Sequence, residues 1–171
     1  MVTTSDLRQK IDARKLTKYE WVSYDLKHYR GRCGYIKDKK IKGRVTIFLT
    51  GKMISIGSRS VTESIEQLTR ARNLLARNHL IKPVKLIPKV QNIVVTVNLG
   101  KKIDLHGFAS YVPKVTYEPD QFPGAILRMT DTPVCLLFAT GKLVIVGLKS
   151  EDGVKKTMDK LDKILRSFYI Q

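Results

Sequence analysis

The chain has 171 residues, 43% of them apolar, which suits one compact unit or two small joined ones. Its 32 Lys and Arg against 15 Asp and Glu leave a net charge of +17, which would repel itself unless an anion is the partner. No run is long and apolar enough to span a bilayer. MVTTSDLRQK has no apolar signal core, so an intracellular aqueous compartment without a membrane partner is expected.

In chain order, an opening strand from Met1 leads to Lys10-Ile11-Asp12 and then to YDLKHYRG (24–31). The hairpin GYIKDKKIKGR feeds a strand ending in Phe48, and Thr50-Gly51 makes a tight turn into the next strand. Cys33 stands in this stretch and Cys135 in the second half, without C-x-x-C spacing. Free core thiols are expected, and neither a zinc site nor a disulfide. Ser60-Val-Thr-Glu63 is a capping box that starts a long helix, with Val61, Ile65, Leu68 and Leu75 on one face.

After a joint around Pro83 and Pro88 the pattern repeats. Strands are expected at KVQNIVVTVNL, KVTYE, GAILRM, VCLLFAT and KLVIVGLK. Ser150, followed by Glu151 and Asp152, opens a second helix with Val154, Met158, Leu161, Leu165 and Phe168 on one face. FLTGKMISIGSRS (48–60) and FATGKLVIVGLKS (138–150) are 13-residue windows that agree at six positions, 90 residues apart. YEPDQFPG (117–124) echoes YDLKHYRG, and Lys102-Ile103-Asp104 echoes Lys10-Ile11-Asp12. The expected organisation is therefore two tandem repeats, 1–84 and 88–171, each made of strands and then one long helix. Residues 1–86 hold 20 basic and 7 acidic side chains, residues 87–171 only 12 and 8, so the charge is concentrated in the first repeat.

Several strands are apolar on both sides of the pleat, yet one long helix per repeat covers one sheet face only. The other face would hold Val94, Leu136, Phe138, Val144 and Val146, with Thr46, Phe48, Ile54 and Ile56 in the first repeat. An uncovered apolar face in so basic a chain calls for a partner. The minor groove of double-stranded DNA suits it, because its floor offers few hydrogen-bonding distinctions and its rims are phosphates. No recognition helix for the major groove stands out, and the central positions are aliphatic rather than the stacked aromatics of an RNA-binding sheet.

VQNIVVTVNLGKKIDL, YEPDQFPGAILRM, VCLLFATGK and VIVGLKSED resemble, in that order, the second half of a TATA-box-binding protein. IFLTGKMISIGSRS carries a weaker likeness in the first half. The resemblance implies an α+β fold in which two repeats form a curved antiparallel sheet, a saddle with helices on its convex face. It implies a general transcription initiation factor that bends A·T-rich promoter DNA and recruits a factor of the TFIIB type, in the nucleoid or the nucleus. Phe122 and Phe138 match one intercalating pair, Asn92 the asparagine that hydrogen-bonds near the pseudo-dyad, and Arg128, Lys142 and Lys149 backbone-contacting cations. In the first repeat Phe48, Lys52 and Arg59 occupy matching places, and Tyr29 or Arg32 the partner wedge. Glu118 and Asp120 match acidic positions that contact the TFIIB-type factor. The chain departs from the family at Ile56 and Val146, where a threonine is usual, and it has no first-repeat counterpart of Asn92. That departure weakens direct A·T readout and leaves open a divergent member with little TATA specificity, or one whose saddle takes a protein partner.

His28, His79 and His106 have no paired metal spacing, and no P-loop, G-x-S-x-G or catalytic cysteine arrangement occurs. No enzyme activity, cofactor, metal or small-molecule substrate is expected.

Overall fold

The computed structural model describes residues 1–130 and 133–170 and divides them into two compact units, Met1–Gln91 and Asn92–Gln171. The first unit contains strands β1 (Val2–Asp6), β2 (Val22–Tyr24), β3 (Cys33–Ile36), β4 (Arg44–Phe48) and β5 (Lys52–Ile56). A short helix α1 (Ala13–Leu16) and the long helix α2 (Val61–Arg77) complete it. β6 (Lys89–Asn98) begins in this unit and runs into the second. There it is followed by helix α3 (Leu105–Tyr111), strands β7 (Val115–Thr116), β8 (Gly124–Arg128), β9 (Val134–Phe138) and β10 (Lys142–Leu148), and helix α4 (Glu151–Leu165). The strand orders are β2-β3-β4-β5-β1 and β6-β10-β9-β8-β7, with antiparallel pairing within each unit. The class is α+β.

Helix starts follow the capping signals. Ser60 Oγ accepts the Glu63 N–H at 3.0 Å, while Glu63 Oε2 reaches one residue past the cap to accept the Arg59 N–H at 2.7 Å, a variant of the capping box. Ser150 Oγ accepts the Gly153 N–H at 3.1 Å. One long helix per repeat was the sequence expectation, and the structure adds α1 and α3. The Asp12 side chain caps α1 through the Arg14 N–H, and Asp104 caps α3 through the Gly107 N–H. The echo Lys-Ile-Asp is thus a repeated helix start, too short in its helical run for periodicity to reveal.

The buried face of α2 also differs from the expected one. Ser64, Gln67, Leu68, Ala71 and Leu75 are buried, whereas Ile65 is exposed and Val61 only half-buried. Two polar residues lie in the stripe because the sheet beneath supplies partners. Thr3 Oγ1 and Ser64 Oγ are 2.8 Å apart, and Ser55 Oγ donates to Gln67 Oε1 at 3.0 Å. By strand register, Thr3 lies opposite Ser55 as Val95 lies opposite Ile145, so the second unit's matching layer is apolar. On α4 the buried residues are Thr157, Leu161 and Leu165.

Cys33 and Cys135 are free and buried. Burial pushes the Cys135 thiol up to about 11, which keeps it protonated and unreactive at neutral pH.

Candidate nucleic-acid interface

Strand alternation decides which side chains face away from the helices. In the first unit α2 packs over β5, β1 and β4, and Val45, Ile47, Met53 and Ser55 turn toward it, fully buried. The intervening residues form the open face. Thr46, Phe48 and Ile54 are half-buried, and Ile56 is 39% exposed. Thr46 stands opposite both Tyr35 and Ile54, and Ile54 opposite Thr4, so one continuous row crosses the unit. Lys52 begins β5, and Arg59 lies just before α2; both are exposed.

The second unit repeats the arrangement. Ala125, Cys135, Leu137, Leu143 and Ile145 are buried, while Leu136, Phe138, Val144 and Val146 are half-buried on the open face and Val94 is 47% exposed. Register places Ile126, Leu136, Val144 and Thr96 side by side on four strands. Arg128 ends β8 and Lys142 begins β10, both exposed at the borders of the face, and Lys149, between β10 and α4, is exposed as well. Each unit thus brings its expected strand residues onto one side, apolar in the middle and cationic at the strand ends.

Asn92 sits on this face of β6, and its Oδ1 accepts the Gly147 N–H at 2.9 Å. Gly147 lies in a bulge where the β10–β6 register shifts, with φ of 94°. Because the Gly147 nitrogen can only donate, the carbonyl oxygen of the amide must face it, and the NH₂ group is turned elsewhere.

Phe122 and Phe138 form an edge-to-face pair with centroids 5.7 Å apart and planes at 62°. Gly124, directly opposite Phe138, makes room for it: a Cβ there would lie 2.8 Å from Phe122 Cε1 and 3.1 Å from Phe138 Cε1. Cys33 stands opposite Phe48 in the first unit, so a side chain fills the place that glycine leaves open. Tyr29 is 70% exposed, in a turn where Tyr29, Arg30 and Gly31 all have positive φ, and Arg32 is exposed beside it. Among the described residues there is no ring contact between Tyr29 and Phe48.

Glu118 and Asp120 are exposed. The Glu118 carbonyl accepts the N–H groups of Gln121 (3.0 Å) and Phe122 (2.9 Å), closing the turn that presents Phe122. Sequence reasoning passed over Tyr35, Arg44, Thr96 and Asn98, which occupy the same faces. Counting two residues back from Thr46, or on from Val94, would have found all but Tyr35. Among the described residues no group of three or more His, Cys, Asp or Glu could hold a metal ion, and no helix is long and apolar enough to cross a membrane.

A family model described as "Transcription factor TFIID (or TATA-binding protein, TBP)" matches residues 1–78 and 87–168. The TATA-box-binding protein of Cenarchaeum symbiosum is 45% identical over 157 residues, which cover 92% of this chain and 86% of that protein. That of Methanosphaera stadtmanae is 32% identical over 167 residues, covering 94% and 90%. The solved structure of the Methanococcus jannaschii TBP matches with a TM-score of 0.84 and 28% identity, over 97% of this chain and 95% of that one.

Proposed function

The chain belongs to the TATA-box-binding protein family, and we propose that it acts as a general transcription initiation factor, binding and bending promoter DNA through the minor groove. The observation that carries this reading is the open face in each unit, with aliphatic residues at its centre and Lys and Arg at its margins. Repeats 1–84 and 88–171 each supply one such face. The apolar centre suits a groove floor poor in donor–acceptor distinctions, and the cations suit phosphates. Phe122 and Phe138 act as a wedge at a base step, with Phe48 and Tyr29 as a looser first-repeat equivalent. Asn92 directs its NH₂ at groove acceptors. Such a factor works where the DNA is, in the nucleoid or the nucleus.

The test is selection of binding sites from random duplexes, followed by salt titration on the selected site. An A·T-rich site and a steep fall in affinity with salt are expected. Affinity that is flat in salt, or no duplex enriched, would overturn the reading.

Exposed Glu118 and Asp120, on the turn below the Phe122 wedge, are the contacts for a TFIIB-type factor. Glu118→Lys should reduce the ternary complex and leave binary DNA binding intact. Equal ternary yields for variant and parent would remove Glu118 from that interface.

A further inference from the structure

The first unit's open face holds a pair that the second does not repeat. Arg44, exposed at the start of β4, shares the face of Thr46 and Phe48 and stands directly opposite Ile56. Its guanidinium carbon lies 5.0 Å from the centroid of the Tyr35 ring on β3, a cation laid against an aromatic face. In the second unit Val134 stands opposite Val146, and Ile126 holds the place of Tyr35. That unit's comparable cation, Arg128, stands opposite Val134 on β8, one strand nearer the end of the strand order. The first unit keeps an exposed cation, Lys37, in the place that corresponds to Arg128 and adds Arg44 one strand further in.

A solvated rim cation is free to sample many rotamers. Arg44 has the Tyr35 ring against its guanidinium and the exposed aliphatic Ile56 opposite it in register, so its planar fork of donors is held on the open face by an aromatic partner. We propose that Arg44, steered by Tyr35, reads bases. It directs its donors at the minor-groove acceptors, adenine N3 and thymine O2, in the half of the site covered by the first unit. A G·C pair would place the guanine amino group, itself a donor, in the path of the guanidinium, so Arg44 favours A·T there. This inference rests on the DNA-binding reading above and adds a specificity-determining residue to it.

The probes are A·T-rich duplexes in which one half carries inosine·cytosine or guanine·cytosine pairs. These differ in the minor groove only by the amino group. The full chain should favour the inosine duplex in both halves. Arg44→Met should shrink that preference about tenfold in one half and leave the other unchanged. Arg44→Lys keeps the charge and loses the planar fork, so it should keep the parent's salt slope while losing most of the preference. If Arg44→Met retains the full preference and flattens the salt slope by about one unit, the guanidinium contacts a phosphate and the proposal fails. It fails equally if neither quantity moves in either variant. A parent chain that binds none of the duplexes would instead overturn the underlying DNA reading.

Discussion

Asn92 Oδ1 accepts the Gly147 N–H at 2.9 Å, so one side chain both closes a bulge and aims an NH₂ group. The two roles are separable. Asn92→Asp keeps an acceptor for Gly147 but loses the donors, so its thermal midpoint should stay near the parent's while duplex affinity falls. Asn92→Ala leaves the Gly147 N–H without its partner and should also cost about 1 kcal/mol of stability. Paired melting curves and duplex titrations check this. An Asp variant that binds DNA like the parent would remove the NH₂ group from the interface.

The ring pair supports a second prediction. Phe138→Ala should weaken binding by a few kcal/mol, roughly the cost of unstacking a base step, and should reduce bending. Gly124→Ala retains both rings but forces them apart, since its Cβ would lie 2.8 Å from Phe122 Cε1. It should therefore reduce bending with less loss of affinity. Energy transfer between dyes at the duplex ends measures the bend. Normal bending by Phe138→Ala would end the wedge assignment.

What the sequence disclosed, and what it hid, follows from how side chains find partners. The duplicated windows around Phe48 and Phe138 were legible as strand, turn and strand, and each folds so, as β4 to β5 and as β9 to β10. The open faces were legible because alternation has a period of two and both faces are apolar in places. The buried stripe of α2 was misread because periodicity treats Ser64 and Gln67 as surface residues. They are interior because Thr3 and Ser55, distant in sequence, bond to them. Arg44 escaped for a related reason. A single arginine at a strand start reads as solvated until register sets it opposite Ile56 and beside Tyr35.

A third prediction concerns acid stability. Asp38, in the hairpin between β3 and β4, is tied to α2 by Arg70, whose Nε lies 2.7 Å from Asp38 Oδ2. Burial raises the carboxyl's pKa, but the Arg70 hydrogen bond, the Lys40 N–H and the two positive charges outweigh it and hold it below the ordinary carboxylate value. The contribution of this pair is thus fully present above the unfolded value and is lost as pH falls through the lower folded value. Arg70 is partly exposed, so the pair is worth at most about 1 kcal/mol. Asp38→Asn should lower the thermal midpoint by a constant amount from neutral pH down to about 5, with the gap closing at more acid pH. A gap that stays the same at acid pH would show that ionisation of Asp38 is not its source.

The polar layer beneath α2 carries the last prediction. Ser5 is 7% exposed, and its hydroxyl has no partner among the protein's own atoms. It stands opposite Met53, and the matching second-unit pair is Val97 opposite Leu143. A buried unsatisfied hydroxyl costs about 1–3 kcal/mol of desolvation, whereas the hydrogen that replaces it in alanine carries no such cost. Ser5→Ala should therefore stabilise the chain by about 1 kcal/mol, raising the thermal midpoint by about 2–4 °C for a protein of this size. Ser55→Ala should do the opposite. Ser55 Oγ donates to Gln67 Oε1, and Gln67 Nε2 is already buried without a partner, so removing the hydroxyl would leave the whole amide unsatisfied. Thermal unfolding followed by circular dichroism separates the two. A Ser5→Ala variant less stable than its parent would mean that solvent completes the hydroxyl's bonds, and that the layer is hydrated rather than frustrated.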